Sequence, residues 1–273
     1  MQKKIKFKSF DGTNLVGIYT TLNSQTKEKI NAAFLMVHGL PSNKDEWGFY
    51  KDMSEYFLEN NYASFRFDFR YNGESQEGSF QNLTISSLIN DIESAYWQLR
   101  NLVGETTKIF VVGTSCGGGV TVKWLNTFKR DVQKLFLMAP VLDYVYEVTG
   151  KLRTYSEKKF SPLAKEIIIK MEINGTLNDD IGYGIEMLNE SNIFNIKDEF
   201  GMCKIPIHIF QGNDDSIVPI SITKENIKGF ENIELVQIDK ADHGFAVEGD
   251  DDLTDPLTKE NHFYVYKEIL KRI

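Results

Sequence analysis

The sequence predicts an α/β fold, a mostly parallel sheet of about eight strands covered on both faces by helices. Three observations carry that prediction. Short apolar runs alternate with helix-like segments along the chain. One run, Ile109 to Val112, breaks at once into Gly113-Thr114-Ser115-Cys116-Gly117 and then into a helical stretch from Val120 through Phe128. The interval 141–204 is too long for a simple crossover and reads as an insertion in this rhythm.

Taken in order, Ile5 to Phe10 and Leu15 to Thr20 flank Asp11-Gly12, a hairpin signal. Ala33 to Val37 is continuously apolar, as a parallel strand buried on both faces must be. Asp45 to Glu59 reads as helix, with Trp47, Tyr50 and Phe57 among its large side chains. Ala63 to Phe69 is a further strand, interrupted by charged residues. From Ile85 to Val103, the residues Ile85, Leu88, Ile89, Ile92, Ala95, Tyr96 and Leu99 share one face of a 3.6-residue repeat. Leu135 to Ala139, Ile205 to Phe210 and Ile233 to Ile238 complete the strands, and His262 to Ile273 reads as a terminal helix.

Within 141–204, Ser161-Pro162 has the form of a helix start, a capping hydroxyl before a proline. That helix would run through Ile169, with a turn at Asn174-Gly175. The expected organisation is a core of residues 1–140 and 205–273, with 141–204 as a cap over the end of the sheet. Internal repeats, low-complexity segments and linkers are not visible in the sequence.

Bulk composition narrows the function. The chain has 273 residues, 41% hydrophobic and 12% aromatic, enough for a sizeable core. A net charge of −8 argues against a nucleic-acid partner, which calls for a positive surface. Met1 to Phe10 alternates polar and apolar residues without a signal-peptide core, and no run is long enough to cross a bilayer. With Cys116 and Cys203 as its only cysteines, the chain is expected to be cytoplasmic, reduced and free of membrane contact.

Strand, Gly-x-Ser-x-Gly and helix form the context of a nucleophile elbow, which would set Ser115 at the tip with its hydroxyl exposed. A serine hydroxyl needs a base, and the base needs an orienting acid. Four histidines are candidates. His38 ends an early strand, His208 lies inside an apolar run as a packed core residue, and His262 reads as structural. His243, in the loop after Ile233 to Ile238, stands where an α/β sheet puts its chemistry. Between Ser115 and His243, the loop Gln211 to Pro219 offers two acids, Asp214 and Asp215. The developing oxyanion needs two donors, expected to be the backbone N–H groups of Cys116 and of Leu40 in His38-Gly39-Leu40-Pro41. The His38 side chain is expected to buttress that loop. Cys116 lies one residue past the tip, so its thiol should point away from the site.

Ser115, Asp215 and His243 in that order, with His38-Gly39 upstream, resemble the α/β-hydrolase superfamily over nearly the whole chain. The resemblance favours Asp215 over Asp214. Arg66 to Ser75 also looks like the superfamily's Asp-x-Arg-x-x-Gly-x-Ser loop, where Asp68 and Arg70 would be structural; the glycine after that arginine is Tyr71 here, a departure expected to reshape the loop. By overall pattern and cap position the chain is most similar to small bacterial carboxylesterases, cinnamoyl or feruloyl esterases among them. The resemblance implies ester hydrolysis through an acyl-enzyme, aryl and hydroxycinnamoyl esters included, with no metal or organic cofactor. The expected partner is a small-molecule ester, and a homodimer is compatible with the resemblance.

A peptidase, a thioesterase or a non-catalytic ligand-binding protein on the same fold are the competing readings. Tyr144, Tyr146, Tyr155, Phe160, Met171, Tyr183 and Met187 in the cap suit an apolar acyl or phenolic group, or else form the cap's own core. The acidic run Glu248 to Asp255 matches no calcium-loop spacing and reads as a solvated loop.

Overall fold

Strand β1 (Gln2–Lys8) folds back on β2 (Asn14–Thr20), with Phe7 opposite Leu15. The turn closes through Gly12 N–H donating to Ser9 O. The computed structural model describes residues 1–23, 29–149, 153–154, 159–160 and 182–273. The further strands are β3 (Ala32–Val37), β4 (Tyr62–Asp68), β5 (Ile109–Thr114), β6 (Leu135–Met138), a short antiparallel pair β7 (Arg153–Thr154) and β8 (Lys159–Phe160), β9 (Ile207–Gly212) and β10 (Ile233–Ile238). Among the described residues, eight of these form one sheet in the order β1-β2-β4-β3-β5-β6-β9-β10. β2 runs antiparallel to both its neighbours, and every pairing from β4 to β10 is parallel.

β3 shows why its sequence is apolar without alternation. Ala33, Leu35 and Val37 join the core on one face, with α2 (Ile85–Val103) and α3 (Ser115–Phe128). Ala32, Phe34 and Met36 join the core on the other, with α1 (Phe49–Glu59) and the terminal helix. Both sets of side chains leave water, so every position in the strand must be apolar. α2 spans the range its periodicity predicts, and Thr84 starts it with a reciprocal capping box to Ser87.

Two predicted helices differ at their starts. The Asp45 to Glu59 segment is not one helix. Glu46, Trp47 and Gly48 have φ of +45°, +57° and +99°, so a turn in the left-handed region precedes α1. Gly48 takes that conformation freely, and the two residues before it are carried into it with the chain. The terminal helix starts earlier than His262, at Pro256, where Asp255 caps the Leu257 N–H and proline fills the first helical position.

The described parts of 141–204 contain α4 (Tyr144–Thr149), α5 (Ile185–Ile193) and α6 (Ile196–Met202). After β9 comes α7 (Ile220–Ile227), and α8 (Pro256–Lys271) ends the chain. The helix expected from Ser161 to Ile169 and the turn at Asn174-Gly175 lie outside the described residues, as do Tyr155 and Met171. Tyr144, Tyr183 and Met187 are fully buried within the core that holds α2 and α3, and Tyr146 packs against it. These side chains pack into the main core of the molecule, not into a separate core of their own.

Candidate active site

The parallel strands deliver their loops to one end of the sheet. β5 ends at Thr114 and α3 begins at Ser115 with no residue between them. That turn forces Ser115 to φ +50°, a left-handed conformation that is rare outside glycine. Such strain persists only where the surrounding structure holds the residue in place. Gly117 makes the close approach feasible, since a Cβ there would stand 2.3 Å from His38 O.

The structure brings the three sequence-predicted side chains together. His243 Nε2 lies 3.0 Å from Ser115 Oγ, and His243 Nδ1 lies 3.0 Å from Asp215 Oδ2. A carboxylate only accepts, so Nδ1 carries the proton and Nε2 is left to accept from the serine hydroxyl. Asp215 is itself held: Oδ1 accepts from the N–H groups of Ile217 and Val218, and Oδ2 accepts from Gln211 Nε2. Asp214 is exposed, and its N–H donates to Ala241 O, which closes the turn without reaching His243. Burial pushes the His243 imidazole down, but its hydrogen bond to Asp215 and the charges of Asp215, Glu147 and Glu46 outweigh that and hold it above the ordinary histidine range.

The remaining candidates resolve as supports. His38 is fully buried; Phe69 N–H donates to its Nε2 at 2.9 Å, so its Nδ1 carries the proton and faces Gly39 O at 2.5 Å. Burial drives its imidazole down to about 4, which keeps it a neutral brace between the loops after β3 and β4. His262 faces Gly244 O through Nε2 and so steadies the loop that carries His243. His208 departs from the core role expected of it. It is half-buried on the sheet, stacked on Phe136, with Nδ1 2.8 Å from Glu234 on the neighbouring strand. β9 is continuously apolar only where helices cover both of its faces, and at His208 one face stays partly open.

Cys116 is buried, and desolvation pushes its thiol well above the ordinary range, so it is a poor nucleophile. Asp68 accepts from Lys44 N–H, Lys44 Nζ and Glu74 N–H, while Arg70 grips Asp91 and Asp11. Both are structural. The departure at Tyr71 leaves that loop closed: Tyr71 takes φ +64°, the region glycine would occupy at least cost, and its N–H donates to Ser75 O.

A cavity of about 410 Å³ opens over Ser115 and His243. Leu40, Phe49, Phe245, Ile217 and Leu253 supply apolar walls, and Trp47 stands 80% exposed at the rim. Two acids in its lining carry signals that sequence reasoning missed. Glu46 sits behind Gly39, and its nearness in the chain to the His38-Gly39 loop is the signal in the sequence that points to it. Glu147 arrives from α4, and nothing local in the sequence points to it. Among the described residues no group of His, Cys, Asp and Glu could hold a metal ion, and no helix is long and apolar enough to cross a membrane. In the acidic run, Asp250 accepts from the N–H groups of Thr254 and Asp255 and Asp255 caps α8, which leaves the run as loop structure.

Residues 28–181 match the family model Hydrolase_4, described as serine aminopeptidase, S33. The esterase Est1E of Butyrivibrio proteoclasticus with ferulic acid bound is 18% identical, with 98% of each chain covered and a TM-score of 0.76. An esterase of Pyrococcus furiosus is 19% identical, with 100% of this chain and 91% of that one covered and a TM-score of 0.67. An esterase of Exiguobacterium antarcticum is 14% identical, with 97% of this chain and 98% of that one covered and a TM-score of 0.65. At such identities the likeness establishes the α/β-hydrolase fold. No curated protein matches the sequence.

Proposed function

The chain belongs to the serine aminopeptidase S33 family, is a serine hydrolase of the α/β-hydrolase superfamily, and from that premise we propose that it cleaves carboxylic esters through an acyl-enzyme on Ser115. The observation that carries the reading is the unbroken relay from Asp215 to His243 to Ser115 at the floor of the cavity.

In this reading His243 Nε2 takes the Ser115 proton as Oγ attacks the ester carbonyl. The tetrahedral oxyanion is received by the backbone N–H groups of Leu40 and Cys116. His243, now an imidazolium steadied by Asp215, gives its proton to the departing alkoxide. Water, deprotonated by the same imidazole, then attacks the acyl-enzyme and releases the acid. No step calls for a metal or organic cofactor. The apolar walls and the Trp47 rim support an aryl or hydroxycinnamoyl acyl group, which is the ligand class bound in the Est1E structure.

A second reading, hydrolysis of an aminoacyl bond, is favoured by the acids of the cavity. Glu46 and Glu147 line it, and among its described lining residues none is Lys or Arg, which supports a substrate ammonium there. Turnover of p-nitrophenyl acetate, methyl ferulate, acyl-CoA and aminoacyl anilides separates these readings. Ester turnover that vanishes in Ser115→Ala, with the circular dichroism spectrum retained, is the expected result. Near-wild-type turnover in that variant would remove Ser115 from the mechanism.

A further inference from the structure

We propose that Glu46 is a positioning residue for this reaction, clamping the Gly39 N–H so that the next peptide presents its own N–H to the oxyanion, and supplying charge that steadies the His243 imidazolium. The inference deepens the Ser115 reading above and rests on it.

The clamp has two jaws on one residue. Gly39 N–H donates to Glu46 Oε2 at 2.8 Å, and Gly39 O faces His38 Nδ1 at 2.5 Å. Glu46 thereby holds the His38–Gly39 peptide and His38 Nδ1 holds the Gly39–Leu40 peptide, and the two planes, hinged at the Gly39 Cα, brace one another. A trans peptide points its N–H opposite to its C=O, so the Leu40 N–H is turned away from His38. The engaged Gly39 N–H is also removed as a competing donor. The site is tight: a Cβ on Gly39 would stand 3.0 Å from Ser115 Cβ and 3.5 Å from Glu46 Oε1. The carboxyl therefore lies against the nucleophile's own neighbourhood, in a cavity-lining position.

Glu46 reaches this place through an unfavourable backbone. Glu46 and Trp47 are both left-handed, at φ +45° and +57°, and neither is glycine. Strain of this kind persists where surrounding structure demands it, and it clusters at active sites. The turn sends Glu46 inward, 9% exposed, and Trp47 outward.

The electrostatics agree. Burial pushes the Glu46 carboxyl up to about 7, against the pull of its hydrogen bond from Gly39 and of His243. Three carboxyls face His243: Asp215 from the loop after β9, Glu147 from α4 and Glu46 from the turn before α1. Glu46 also faces the buried Tyr50 phenol, which is bonded to Val37 O and Thr114 Oγ1. Because the Glu46 carboxylate and the His243 imidazolium attract one another, the protonation of each shifts that of the other.

The test is steady-state p-nitrophenyl acetate hydrolysis by the full chain across pH, for wild type and for the variants Glu46→Leu, Glu46→Gln, Glu46→Asp and Ser115→Ala. Glu46→Leu should lose about 10- to 100-fold in kcat with KM little changed, since the clamp acts on the oxyanion and not on the bound ester. Glu46→Gln keeps an acceptor for Gly39 and should recover most of that loss. Its acid limb should move to lower pH and sharpen, because a charge that holds the His243 proton is gone. Glu46→Asp keeps the charge and shortens the reach, so it should lose kcat with the acid limb unmoved. If Glu46→Leu does not fold, the Gln and Asp pair decides. Wild-type kcat in Glu46→Leu, or an acid limb unmoved in Glu46→Gln, overturns the proposal while the Ser115 reading stands. Turnover by Ser115→Ala overturns both.

Discussion

At Ser115 a left-handed φ of +50° is tolerated because every neighbour holds it there. Val141 N–H donates to Ser115 O behind it, and His243 meets the hydroxyl in front. The same logic separates the two adjacent aspartates. Asp215 is held by four partners in one carboxylate, Ile217, Val218, Gln211 and His243, and Asp214 reaches none of them. Asp215→Asn should therefore cost about 10⁴-fold in kcat, the scale of losing the tautomer control, and Asp214→Asn less than about threefold. Stopped or steady-state ester hydrolysis reads both; the reverse ranking would exchange their roles. The pH profile follows from the direction of the His243 shift. The imidazole must be neutral to accept the serine proton, and its environment raises the pH at which it loses its own. Activity should thus fall as pH drops through a value above the ordinary histidine value of about 6.5. A kcat/KM profile with its acid limb below that value would contradict the sign.

At the scale of elements, α3 packs directly on the loop after β3. Gly117 lies where the helix start meets His38, and a Cβ there would stand 2.3 Å from a backbone carbonyl that has nowhere to go. Gly117→Ala should lower Tm by several degrees and cut kcat further than the loss of folded protein explains. Thermal unfolding followed beside active-site titration checks it. The elements themselves were legible wherever burial imposed a pattern. Ile85 to Val103 was read to its boundaries because its apolar stripe and its cap agree. Asp45 to Glu59 reads as one helix in the sequence because a run of left-handed residues leaves no mark in hydrophobic periodicity. α7 went unread because eight residues hold too few turns for a stripe to show.

At the scale of the molecule, α4 is tied to the elbow by one side chain. The buried Tyr144 hydroxyl donates to Cys116 O and accepts from Val120 N–H, so it spans the first turn of α3. Tyr144→Phe leaves both groups buried without that partner. It should destabilise the fold by about 1–3 kcal/mol, read by urea denaturation, and should weaken ester turnover as the elbow loosens. An unchanged midpoint together with unchanged kcat would show that the two parts are energetically independent.

The sequence by itself determined the parallel sheet, the strand that launches Ser115, and the loops that hold Asp215 and His243, because backbone sterics and burial act on short stretches of chain. It left Asp214 and Asp215 undivided except by resemblance, and it was silent on Glu46 and Glu147. Those were decided only when residues far apart in the chain came within a few ångströms. A carboxyl's meaning depends on what it touches and how dry its surroundings are, and neither is written in the residues beside it.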